Sequence, residues 1–192
     1  MRCSTQAFKT SAAMLLALAA TVAVAQQANE PPAKDNTTNT PFDAWTLSCV
    51  THSASQAESS TAKTRGCEVR TQVVIKDDKG QQGVAGVIAI GHASPEQPLQ
   101  VMVQVPLAAL LNQPIVLLGA DDKVILNLTY VACQPQGCMA GANLAQAQRD
   151  QLTQQSASIF VGYVNQAGQK LKVEAPTKGL AKALQALDKQ KS

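Results

Sequence analysis

The stretch Pro98–Pro106, PLQVMVQVP, carries the reading of the fold. Leu99, Val101, Val103 and Val105 alternate with Gln100, Met102 and Gln104, a period of two that buries one face of a strand and leaves the other to meet water. Short runs rich in Val, Ile and Thr recur on both sides of it: Trp45–Val50, Glu68–Ile75, Val84–His92, Ile115–Leu118, Val124–Val131, Ile159–Val164 and Lys170–Glu174. Polar, Gly-containing connections separate several of them, KDDKGQQG after Ile75 and NQAGQK before Leu171, as hairpin loops require. About eight strands with few helices predict a mainly β domain, an antiparallel β-sandwich of immunoglobulin-like type, with a closed barrel as the competitor.

Two short helices complete the expected domain. One runs from Asn143 to about Gln154, with Leu144 and Leu152 among Ala and Gln. The other runs from Thr177 to about Lys189, where Leu180, Ala183, Leu184 and Leu187 fall at i, i+3, i+4 and i+7 and share one face. That stripe predicts a C-terminal helix that covers the sheets.

The N-terminus sets the compartment. Arg2 and Lys9 precede an apolar run from Ala12 to Val24, which closes on the small-x-small pattern Ala23, Val24, Ala25, the pattern of a secretory signal peptide over residues 1–25. The run is short of the roughly 20 residues that cross a bilayer, so no integral membrane segment is expected after cleavage. Cys3 precedes the apolar run and leaves with it. Residues 26–41, QQANEPPAKDNTTNTP, hold three prolines and no large apolar side chain, and read as a flexible polar linker. Residues 42–192 then form a single domain of ordinary size.

Charge excludes one class of partner. Two basic residues and no acid leave with the signal, so 14 Lys and Arg face 13 Asp and Glu, a net charge of +1. With three Phe, two Tyr and one Trp in the whole chain, there is little from which to build a nucleic-acid surface, and that class is set aside.

Four cysteines remain after the signal: Cys49, Cys67, Cys133 and Cys138. An even number in an exported chain favours two disulfides, and four cysteines permit three connectivities. Turn composition favours local pairing. Pro135 and Gly137 lie between Cys133 and Cys138, and Cys49 ends one strand candidate where Cys67 opens the next. Loop entropy assigns roughly 3 kcal/mol to Cys49–Cys67 and about 2 kcal/mol to Cys133–Cys138. A redox pair is the competing reading of Cys133 and Cys138, but their four-residue spacer is not the two-residue spacer of thioredoxin-type motifs.

Catalytic chemistry finds no constellation. His52 and His92 stand at no metal-ligand spacing from a cysteine or from each other, and GxSxG, HExxH and P-loop patterns do not occur. Asp77 with Asp78, and Asp121 with Asp122, fall in expected turns beside lysines and read as solvated turn residues. No catalytic residue, metal or cofactor is expected, and the chain is expected not to be an enzyme. Trp45 is a weak candidate for a recognition anchor against the ordinary reading of a Trp packed on a disulfide in the core.

The landmarks run in a recognisable order: signal, polar linker, FDAWTLSC (Phe42–Cys49), a second cysteine 18 residues on, a β-rich middle, CQPQGCMA (Cys133–Ala140) and PTKGLAKALQAL (Pro176–Leu187). This resembles the invasion-associated locus B family of exported Gram-negative proteins. The chain departs from the family pattern in Leu180 after Gly179 and in a long first intercysteine loop. The resemblance implies a disulfide-stapled sandwich in the periplasm, on the outer envelope or secreted, with founding members linked to host-cell invasion. A binding module for a protein or cell-surface partner is the leading expectation. A periplasmic thiol-disulfide protein using Cys133 and Cys138, or a housekeeping structural protein of the envelope, are the alternatives.

Overall fold

A computed structural model of the chain describes residues 36–52, 64–76, 80, 82–93 and 96–191. The expected signal peptide, residues 26–35 of the expected linker, most of the loop between Cys49 and Cys67, and Asp77 and Asp78 lie outside the described residues.

Among the described residues, strands come in the order β1 (Asn36–Phe42), β2 (Trp45–His52), β3 (Thr64–Lys76), β4 (Gln82–Gly91), β5 (Gln100–Val105), β6 (Ile115–Leu118), β7 (Val124–Gln134), β8 (Gly137–Asn143), β9 (Ser158–Val164) and β10 (Lys170–Pro176). Helix α1 (Gln146–Gln154) precedes β9, and α2 (Leu180–Asp188) follows β10. Each strand pairs antiparallel with its neighbours in the spatial order β1-β2-β3-β4-β5-β8-β7-β6-β9-β10.

The expected antiparallel sandwich forms because β7 changes partner along its length. Val124–Leu128 pair with β6, whereas Thr129–Gln134 pair with β8, and the register slips between Tyr130 and Ala132. A strand that bends at an irregularity in this way turns the corner between two packed layers. The first layer is β1–β5, β8 and the end of β7; the second is the start of β7, β6, β9 and β10. Strand β10 lies against β3, and α2 extends the cover over β1, β2 and β3.

The alternation in β5 is realised as expected: Val101, Val103 and Val105 are buried and Gln100, Met102 and Gln104 are half-buried on the other face. The α2 stripe is realised too, with Leu180, Ala183, Leu184 and Leu187 all buried. Each of the three leucines contributes about 1.5–3 kcal/mol of transfer free energy. Helix α1 starts three residues later than expected, since Asn143 ends β8, and it is tied to α2 by a bidentate Arg149–Asp188 pair at 3.1 and 2.5 Å.

Two strands were not expected. Residues 36–41, read from sequence as the end of the linker, form most of β1, an edge strand exposed on nearly every residue that turns through Asp43 and Ala44 into β2. Backbone pairing with β2 holds it, so its Asn and Thr carry no apolar signature. Strand β8, GCMAGAN, is built of small residues. A Cβ on Gly141 would lie 2.4 Å from Met102 Sδ, so a larger residue there would displace the Met102 side chain.

The entry to α2 closes on the first hairpin. Gly179 takes φ 92°, and a Cβ there would fall 1.9 Å from the Phe42 carbonyl oxygen. Ala44 N–H donates to Lys178 O at 3.3 Å alongside. Only glycine tolerates both the conformation and the contact.

Candidate functional site

Both disulfides form as the turn composition favours, Cys49 with Cys67 and Cys133 with Cys138. Each joins residues directly opposite one another on neighbouring antiparallel strands. They differ in setting: Cys49 is buried in the first layer, whereas Cys133 is exposed at the turn end of the β7–β8 hairpin with Cys138 buried beneath it.

Trp45, the candidate recognition anchor, has no exposed surface; its Nε1–H donates to Pro176 O at 2.9 Å and joins the two layers. It belongs to the core and offers nothing to a partner. Asp121 pairs with Lys123 at 2.7 Å and Asp122 pairs with Lys172, both in or beside the β6–β7 turn. The lysine ammonium holds the Asp121 carboxyl below its usual range. Among the described residues, no group of three or more His, Cys, Asp and Glu is placed to hold a metal.

What sequence reading missed is a slot on the outer face of the first layer. Register aligns its side chains in rows across the strands. Ser48, Glu68, Gly91, Gln100 and Asn143 stand side by side, and the next row is Thr46, Arg70, Ala89, Met102 and Gly141. The row after that brings Gln72, Val87 and Gln104 together. Strand β4 therefore contributes Val87, Ala89 and Gly91, a floor that narrows to nothing, between taller walls on β3 and β5.

The floor spans about 13 Å along β4 and the walls stand roughly 10 Å apart, from strand geometry alone. One depression of about 590 Å³ lies over Ala89 and Gly91, bordered by Gln100 and Met102 on β5 and reaching across β3 to Ser48 and Val50, and another of about 650 Å³ lies over Thr46, Gln72 and Val87 toward Asn39 and Pro176; Arg70 borders both. These are sizes at which small-molecule sites occur. Gly91 cannot be enlarged cheaply, because a Cβ there would lie 2.9 Å from both Cys67 O and Glu68 Cβ.

The walls are polar and partly fixed. Gln100 donates to Asn143 Oδ1 at 3.3 Å, and Gln104 donates to Gln136 O at 2.8 Å. His92 at the end of β4 is bonded through Nδ1 to Gln97 O at 2.7 Å, which holds the β4–β5 connection beside the slot. Glu68 and Arg70 place opposite charges two residues apart on one wall.

The second layer's outer face is of another kind. A smaller hollow of about 340 Å³ lies among Val116, Leu118, Gly162 and Leu171. Lys172 covers the neighbouring Phe160 ring at 3.9 Å while pairing with Asp122, so its charge is already engaged.

Fold and site together define a class: a small antiparallel β-sandwich, stapled by two cross-strand disulfides, with an open polar slot on one outer face. Residues 45–188 match the invasion associated locus B (IalB) protein family, and the chain belongs to that family. Among solved structures it is similar to invasion associated protein B from Bartonella henselae, at 14% identity and TM-score 0.60, over 80% of this chain and 96% of that one. At that identity the likeness shows the fold alone. No curated protein sequence matches the chain.

Proposed function

We propose that the protein is an exported, non-catalytic binding module of the bacterial envelope, and that the slot along β4 receives its partner. One observation carries the reading: a small-floored groove with polar walls and two opposed charges lies across the broadest layer of a doubly stapled sandwich. Such a layer is a rigid platform, which keeps the ordering cost of binding low.

Export is supported by the signal-like residues 1–25 and by two disulfides, which persist in oxidising compartments. No helix of the described residues is long and apolar enough to cross a membrane. The periplasm or the outer envelope is the proposed location, and the names of the family and of the solved relative point to a host-cell surface as one partner.

The test uses Ala89→Trp, which fills the slot from its outward-facing floor. The purified mature protein is expected to bind saturably to envelope fragments or host-cell surfaces, and A89W to lose at least about tenfold in affinity at unchanged melting temperature. Equal binding by both proteins contradicts the slot as the site.

A thiol-disulfide function remains the second reading, favoured by the exposure of Cys133. It requires the Cys133–Cys138 bridge to open in the glutathione range and to exchange with a thiol substrate. Resistance of that bridge throughout the range removes it.

A further inference from the structure

Granting the slot as the binding site, we infer that its ligand is an extended polypeptide segment lying along β4. Such a segment carries a basic and an acidic side chain two residues apart, set against Glu68 and Arg70. The spacing is the first argument. Glu68 and Arg70 sit at i and i+2 on the outward face of β3 and line the same depression. Alternate side chains on a strand are about 6.7 Å apart, so an extended peptide running alongside repeats that interval.

The floor is the second argument. Ala89 and Gly91 put only a methyl group and a hydrogen on the outer face of β4, and both line the depression, so a backbone can approach the sheet there. The walls are the third. Gln72 and Gln100 line the depressions with amides that both donate and accept, the pairing that peptide groups ask for. Met102 adds an adaptable apolar contact. Among the described residues, no Phe, Tyr or Trp lines either depression to serve as an aromatic platform for a sugar ring.

Synthetic heptapeptides, blocked at both ends and built of Thr and Val around a central charged pair, test this. The pair is Lys-Thr-Asp, Asp-Thr-Lys, Lys-Thr-Lys or Asp-Thr-Asp, and binding to the mature protein is read by fluorescence anisotropy at low salt. The wild type is expected to prefer the mixed-charge peptides over both like-charge peptides by about tenfold, a preference that shrinks as salt is added.

R70E is expected to transfer the preference to Lys-Thr-Lys, and E68R to transfer it to Asp-Thr-Asp. A gain of new specificity cannot come from unfolding. A charge preference unmoved by both substitutions overturns the proposal. It is likewise overturned if no peptide binds while A89W-sensitive surface binding persists, or if soluble oligosaccharides compete for that binding; the slot then stands with another ligand class. Loss of both peptide binding and A89W sensitivity removes the slot itself.

Discussion

The two faces of the first layer are made of the same strands and obey different rules. Facing inward, β2 to β5 carry Trp45, Leu47, Val69, Ile88, Ile90, Val101 and Val103, all buried. Facing outward, the alternate positions carry Glu68, Arg70, Ala89, Gly91, Gln100 and Met102, and the sheet is hollowed where β4 has only small side chains. Packing fixes the inner residues, so their identities report stability. Packing asks for a small residue at Gly91 but not for two opposed charges beside it, which is why we propose the outer face as the binding surface. The comparison teaches that stability and recognition are separated here by one residue of register.

That separation can be attacked from the inner face first. Trp45→Ala removes the largest fully buried side chain and the hydrogen bond to Pro176 O, and is expected to cost about 3–5 kcal/mol in urea unfolding. A loss below about 1 kcal/mol contradicts its place at the junction of the layers.

The disulfides come next. Replacing Cys49 and Cys67 together by Ser is expected to cost roughly 3 kcal/mol, and replacing Cys133 and Cys138 together about 2 kcal/mol, measured by denaturant unfolding without reductant. Equal or reversed costs break the assignment of the first bridge to the core and the second to a hairpin end.

Outer-face substitutions sharpen the contrast. Ala89→Trp and Arg70→Glu are expected to move stability by no more than about 0.5 kcal/mol, because neither side chain points into the core. A cooperative transition shifted by several degrees shows instead that the floor of the slot is structural.

The smallest effect concerns the Tyr130 hydroxyl, buried with no hydrogen-bond partner among the described residues. Tyr130→Phe is expected to be neutral or slightly stabilising, by less than about 0.5 kcal/mol. Burial raises the Tyr130 and Tyr163 pKa values above 10.0. Their stabilisation is therefore complete below pH 10.0, and is lost as pH rises through the higher folded values. A double Tyr→Phe variant is expected to flatten alkaline unfolding in that window.

Much of the fold was legible because burial leaves a periodic trace. All eight strands read from alternation and β-branching are present, and the Leu180–Leu187 stripe lies where helical spacing placed it. Strands β1 and β8 left no such trace: one buries almost nothing, and the other is held by Gly and Ala against Met102. The site was not legible, since it depends on residues from β3, β4 and β5 aligned by register. One signal was present in Val84–His92, where Val87, Ala89 and Gly91 shrink along one face while Ile88 and Ile90 remain large on the other. The nearest expectation, Trp45, failed as an anchor because its period-two position faces inward, alongside Leu47 and Cys49.

The most direct measurement places a photo-crosslinking amino acid at Met102, in the slot, or at Val116, on the second layer's outer face, in the protein as its own cell makes it. The account predicts a discrete adduct from position 102, lost when A89W is added in the same chain, and none from position 116. Adducts from position 116 alone, or adducts from 102 that A89W leaves untouched, contradict the slot as the working surface of the protein.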